Sequence, residues 1–177
     1  MDKYDFFERL LESYSGNFDI DQPFETSGEK YDAYAEFNVT SAKYVLSKKA
    51  ELWRAQCYEY VFFKVKNIID VAEIENIKKQ IVDFLEPNFV RKGENVPPPN
   101  HMYSFITMVY ICDEDLSADV KKMIKRFKYI KNYRFTVRGY CEDRFVVFDL
   151  KNKQIYSNNS AKDLVKGYKK IFKSFFV

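Results

Sequence analysis

A chain of 177 residues with 46% hydrophobic side chains is long enough to bury a sizeable core and too apolar to remain disordered. Its formal net charge of +3 conceals two opposed parts, because residues 1–116 carry 13 Lys and Arg against 21 Asp and Glu, whereas residues 117–177 carry 16 against 5. A basic third is an electrostatic footprint. The five glycines, at 16, 28, 93, 139 and 167, are too dispersed for a phosphate-cradling loop, and the single histidine, His101, has no Cys or His at ligand spacing. We therefore expect no nucleotide, no cofactor and no metal.

The first helix is expected over residues 3–14, where Phe6, Phe7, Leu10, Leu11 and Tyr14 share one face and Gly16 supplies a stop. Residues 17–30, with Pro23 and Gly28, read as a loop. Residues 31–66 alternate aromatic and small residues with polar ones and predict antiparallel strands turning at Ser47, Lys48 and Lys49. Asp70 with Glu73 three residues later resembles a capping box, and Ile74, Ile77, Ile81 and Leu85 form a helical stripe that Pro87 is expected to end.

Residues 91–100, with three consecutive prolines at 97 to 99, read as a stiff spacer between two halves. Beyond it, residues 103–112 are apolar on both faces, as in a central strand. Ser117 opens a helix with Val120, Met123, Ile124 and Phe127 inward. Residues 133–140 alternate, which predicts a strand with Tyr133, Phe135 and Val137 inward and Arg134, Thr136 and Arg138 outward. A second strand at 145–150, a turn at 151–153 and a short return at 154–156 follow. Ser160 and Asp163 are expected to cap a last helix whose apolar arc is Leu164, Val165, Tyr168, Ile171, Phe172 and Phe175.

The longest apolar runs, such as Tyr60 to Phe63, fall far short of a bilayer span, which predicts no membrane segment. The acidic start, Met1-Asp2-Lys3-Tyr4-Asp5, lacks the pattern of a signal peptide, so a cytoplasmic location is expected. Cys57, Cys112 and Cys141 are an odd, widely spaced set and read as reduced thiols.

The positive charge maps onto helix faces. Lys121, Lys122, Lys125, Arg126 and Lys128 fall opposite the apolar stripe of their helix, as do Lys162, Lys166, Lys169, Lys170 and Lys173 on the last one. With Arg134 and Arg138 on a strand face, three elements are candidates to present one basic surface. An ordinary solvated helix mixes signs, so faces this uniform point to an anionic partner, nucleic acid or acidic protein, or to self-association with the acidic part of another copy.

Two further patterns carry chemistry. Arg138-Gly139-Tyr140 matches the opening of the aromatic signature of RNA-recognition domains, but the match fails at once, because Cys141-Glu142-Asp143 places acids where bases should stack, and Gly139 reads instead as a turn glycine. Asp149-Leu150-Lys151 at a strand end has the acid and lysine of PD-(D/E)xK nucleases, in which the acid binds Mg²⁺; the second acid should precede on a neighbouring strand, Glu142 and Asp143 are too near for the usual spacing, and a plain hairpin corner is the alternative. Glu36, Glu59 and Lys64 form another candidate set, although Glu59 and Lys64 should point to opposite faces of a strand.

Residues 102–110, Phe127-Lys128-Tyr129, and the run from Arg138 through Leu150 resemble an uncharacterised family of small clostridial-type Firmicutes proteins over residues 102–170. That resemblance implies no activity and no site residues. The combined expectation is an α+β fold with a mixed, mainly antiparallel sheet and packed helices in the order α-β-β-α-β-α-β-β-β-α. It forms one domain over residues 1–177, or two subdomains, 1–90 and 101–177. The function expected is a bacterial binding or assembly module using its basic C-terminal face, with a metal-dependent nuclease as the alternative.

Overall fold

A computed structural model describes the backbone of residues 2–45 and 50–176 and the side chains of residues 2–39 and 56–176. The turn expected at Ser47, Lys48 and Lys49 lies outside the described residues. Helix α1 (Lys3–Glu12) starts at Asp2, whose carboxylate accepts from the Tyr4 N–H at 3.0 Å. Short strands β1 (Asp19–Asp21), β2 (Phe24–Thr26) and β3 (Glu29–Tyr31) precede the long pair β4 (Ala33–Val45) and β5 (Ala50–Lys66). Helix α2 (Val71–Gln80) runs directly into a π-helix, Ile81–Val90, and then come β6 (His101–Cys112), α3 (Ala118–Arg126), β7 (Ile130–Asn132), β8 (Tyr140–Asp149), β9 (Gln154–Ser157) and α4 (Lys162–Phe175).

These elements build the expected α+β class. The main sheet has the order β1-β4-β5-β6-β8-β7, with β9 also on the outer edge of β8; β5, β6 and β8 are parallel and the remaining pairs antiparallel. Parallel neighbours need a crossover, and both crossovers are helical: α2 with the π-helix between β5 and β6, and α3 between β6 and β8. The proline-rich stretch completes the first of these, so the sheet runs without a break across residues 91–100.

Side chains alternate between two cores. Tyr60, Phe62, Ile106, Met108, Phe145 and Val147 pack beneath α2, the π-helix and α3. Val61, Phe63, Val109, Ile111, Val146 and Phe148 pack beneath α1 and α4. The rings meet edge-on, as Phe6 does with Phe148 at 4.9 Å and Phe172 at 5.4 Å, and each fully buried ring contributes about 2–3 kcal/mol through lost apolar surface.

Four expectations are corrected. The stretch 17–30 contains β1, β2 and most of β3, three-residue strands too short to show a period of two; Ser27 (φ 53°) and Gly28 (φ 74°) form the left-handed pair of a two-residue hairpin turn. Pro87 does not end its helix. In an α-helix its ring would strike the carbonyl four residues back, and here the chain adopts the wider i→i+5 register, with the Arg91 N–H donating to the Glu86 carbonyl at 3.2 Å. Ser160 and Asp163 do not cap α4, because the Ser160 hydroxyl donates to Glu142 (2.5 Å) and Asp163 pairs with Lys166 (2.8 Å). The Ala161 N–H is taken instead by the Asn158 side-chain oxygen at 3.2 Å.

The fourth correction is the largest. Residues 133–139 form a turn and not a strand: only Tyr133 is inward, while Phe135 and Val137 are 99% and 82% exposed. Arg134, Phe135 and Thr136 all adopt left-handed backbone (φ 48°, 53° and 71°), closed by bonds from the Val137 N–H to the Arg134 carbonyl and from the Gly139 N–H to the Thr136 carbonyl. Gly139 dictates this shape. Its φ is +76°, and a Cβ there would overlap the Met102 carbonyl.

Candidate functional site

On the α1/α4 face the strand register lines side chains up in rows. Val39, Cys57, Tyr103, Tyr140 and Asn132 form one row, Phe37, Glu59, Phe105, Glu142 and Ile130 the next, and Ala35, Val61, Thr107 and Arg144 a third. Later rows are aliphatic and aromatic and lie under the two helices. Among the described residues, Phe37, Tyr103, Phe105 and Tyr140 belong to neither core. Strands inside a parallel array are ordinarily covered on both faces, so a half-face that leaves four rings partly exposed is unusual.

The rings form a platform, with Tyr103 5.0 Å from Phe105 and 5.9 Å from Tyr140. The Arg144 guanidinium lies over Phe105 at 3.4 Å and donates to Glu59 at 3.2 Å. Thr107 donates its hydroxyl to the same Glu59 oxygen at 2.7 Å. One nitrogen of Arg144, Nε, is buried with no acceptor among the described residues.

The platform leads into a cleft of about 530 Å³ between the end of α1 and the start of α4. Phe18, Phe37, Leu164 and Ile171 supply apolar walls, the paired hydroxyls of Tyr14 and Tyr168 lie between the helices, and Glu59 and Asp163 are the charged groups in its lining. Burial pushes both phenols up, so they stay protonated and serve as neutral hydrogen-bonding groups.

The opposite face holds its polar groups in closed networks. Glu86 is 0% exposed and accepts from Arg91 Nε (2.8 Å), Lys131 Nζ (2.8 Å) and the Tyr133 hydroxyl (2.6 Å). These donors outweigh desolvation and hold its carboxyl below the usual range. His101 Nδ1 faces the Arg138 carbonyl at 2.9 Å, and because a carbonyl only accepts, Nδ1 carries the proton and Nε2 accepts from Ser104 at 2.8 Å. This is the order of a nucleophile, base and orienting group, but Ser104 is wholly buried and no substrate reaches it. The pair pins the 133–139 turn to β6. Asn158 likewise uses both side-chain atoms fully, accepting from Phe145 and Ala161 and donating to the Phe127 carbonyl and Asp143.

The expected basic residues do not converge on one surface. Lys121, Lys122, Lys125 and Arg126 lie on α3, whose apolar side faces the first core, whereas Lys162, Lys166, Lys169 and Lys173 lie on α4, which packs on the opposite face of the sheet. The two lysine faces therefore point away from each other. Lys122 and Arg126 also line a groove with Glu75 and Asp119, so that face is mixed in sign. Arg134 and Arg138 stand on the 133–139 turn and belong to neither helix.

Asp149 and Lys151 separate. The Asp149 carboxylate accepts from the Asn152 backbone and side chain (2.8 and 3.0 Å), while Lys151 pairs with Asp115 at 2.5 Å, which makes this the hairpin corner between β8 and β9. Asp143 lies on the same strand roughly 20 Å away at about 3.3 Å per residue, and Glu142 on the other face. Glu36 and Lys64 face the α2 side and Glu59 the α1/α4 side, as their spacing implied. Among the described residues no cluster of His, Cys, Asp and Glu is arranged to hold a metal, and no helix is long and apolar enough to cross a membrane.

Sequence reasoning singled out Glu59 for a different chemistry and passed over Thr107, Arg144, Tyr14 and Tyr168. A signal existed in the every-second-residue sets Tyr103, Phe105, Thr107 and Tyr140, Glu142, Arg144, which turn polar or aromatic where the same face further along β6 and β8 reads Val109, Ile111 and Val146, Phe148.

A helix-covered mixed sheet with half of one face left open, joined to an apolar cleft with acidic groups, defines the architectural class. The chain belongs to the family of domains of unknown function DUF8052, whose model matches residues 2–170. Searches of curated proteins and of solved structures give no match.

Proposed function

We propose that this domain is a binding module, not a catalyst, and that it captures an apolar group bearing positive charge in the cleft between α1 and α4 and on the adjoining aromatic platform. The observation that carries this reading is the half-open sheet face, on which four rings lie outside both cores beside Glu59. Apolar walls supply non-directional affinity; Glu59 is shared with Arg144, which also covers Phe105, so the preference for a cation rests on the remaining partly exposed rings and on Asp163, whose pairing with Lys166 is solvent-exposed and weak. The single Ser–His pair and the Asp149 corner are engaged in holding turns, which supports a non-catalytic role.

Phenethylamine and phenylacetate carry one ring and opposite charges, and titrating each against the ¹⁵N-labelled chain tests the reading. The amine should perturb residues around Tyr14, Phe37 and Leu164 with a Kd of about 1 mM, a realistic affinity for so small a ligand. The acid should bind at least tenfold more weakly. Equal binding of the two, or perturbation elsewhere only, would reject the proposal.

A further inference from the structure

The 133–139 turn contradicts ordinary surface design. Phe135 and Val137 stand almost wholly in solvent, flanked by Arg134 and Arg138, on backbone whose left-handed conformation is unfavourable for each of its non-glycine residues 134–136. The surroundings nevertheless enforce it: His101 grips the Arg138 carbonyl, the Tyr133 N–H donates to the Gly139 carbonyl at 3.0 Å, and the Tyr133 hydroxyl is anchored on buried Glu86. A strained segment held this firmly is pre-organised, so its side chains can be buried by a partner with little further ordering cost. The tip is an apolar pair between two guanidinium groups.

The α1–α4 cleft has apolar walls and two acids, Glu59 at the platform side, which Arg144 also contacts, and Asp163, whose exposed pairing with Lys166 an incoming guanidinium can replace at little cost. Its volume of about 530 Å³ is ample for one aromatic side chain. Phe135 is too exposed to occupy the cleft of its own chain. The tip belongs to the basic residues 117–177, and the α1, β4 and β5 side of the cleft to the acidic residues 1–116, its other wall being α4. We propose that the Arg134–Arg138 tip of one copy docks in the α1–α4 cleft of a second copy, so that the chain associates head to tail. This rests on the reading of the cleft as a site for apolar cations and names its occupant. Each such contact leaves a free tip at one end and a free cleft at the other, which produces a ring or an open chain.

Two substitutions separate the halves of the contact without disturbing either core. Phe135→Asp removes the tip. Gly167→Arg fills the cleft with bulk and positive charge, and the Cβ it adds meets nothing within 4 Å. Sedimentation velocity should show the wild-type mass rising with concentration at about 100 µM, the strength of a small interface. Each variant alone should stay monomeric at the same concentrations. An equimolar mixture should form a dimer and stop there, because the intact tip of one fits the intact cleft of the other. A wild-type chain that remains monomeric up to about 1 mM overturns the proposal, as does assembly of either variant alone. Monomers that float with anionic phospholipid vesicles through Phe135 would assign the tip to a lipid surface and also overturn it. Phenethylamine binding without self-association rejects this inference while leaving the binding reading intact.

Discussion

The two faces of the sheet treat polar groups in opposite ways. Under α2, the π-helix and α3, each buried polar side chain is closed by protein partners: Glu86 by Arg91, Lys131 and Tyr133, His101 by Ser104 and a carbonyl, Asn158 by four groups. On the α1/α4 side, helices cover only the aliphatic rows and leave Glu59, Arg144 and the rings partly exposed, with Arg144 Nε lacking an acceptor among the described residues. Closed networks contribute rigidity and cost heavily when broken; partly open ones cost little and remain free to engage a ligand. The contrast separates polar residues that maintain the fold from those that can act.

The largest effect is expected where the covered face meets the projecting turn. Gly139→Ala combines a left-handed φ with overlap of the Met102 carbonyl, and should lower stability by about 4 kcal/mol or more in urea denaturation. A loss below about 1 kcal/mol would show that the turn relaxes freely.

Buried Glu86 comes next. Glu86→Gln leaves Arg91 and Lys131 without their counter-charge and should cost about 3–5 kcal/mol, against about 1–2 kcal/mol for Glu59→Gln, which removes the charge facing Arg144 in a partly exposed pair but keeps an oxygen for Arg144 and Thr107. Similar losses for both would erase the distinction between the faces.

The covered face also predicts a titration. Burial, more than any neighbour, raises the Asp143 carboxyl to about 6. Its contribution to stability is therefore complete below the unfolded value near pH 4 and is lost as pH rises through 6, a swing of about 3 kcal/mol. His101 works in reverse, because burial lowers it: its contribution is complete above about pH 6.5 and is lost as pH falls. Carbon NMR of the Asp143 carboxyl should find its midpoint near 6. A midpoint at or below about 4 would contradict the burial argument. The smallest effects belong to the helix surfaces, where Lys122→Ala and Lys169→Ala should each change stability by less than about 0.5 kcal/mol.

Much of this architecture was legible because its periodicities are long. The stripes of α1, α2 and α3, the central strand β6 and the antiparallel pair β4/β5 all follow from spacing alone. The errors occurred where tertiary contact overrides local pattern. Tyr133 to Arg138 alternates like a strand, yet Gly139, His101 and the Met102 carbonyl, which are separated in sequence, force a left-handed turn. Pro87 reads as a helix stop, and only the wider π register lets the helix pass. The site was harder to see for a different reason. Composition revealed the lysines, which are abundant and scattered over opposite faces, whereas Glu59, Thr107 and Arg144 come together only through parallel pairing of three strands distant in sequence.

Measuring stability and phenethylamine affinity together in Glu86→Gln and Glu59→Gln tests the division of the two faces most directly. Glu86→Gln should lose about 3 kcal/mol or more of stability and keep its affinity, while Glu59→Gln should stay within about 2 kcal/mol of the parent and bind the amine at least tenfold more weakly. If Glu59→Gln binds unchanged, or if affinity falls only in Glu86→Gln, the open half of the sheet is not the binding face.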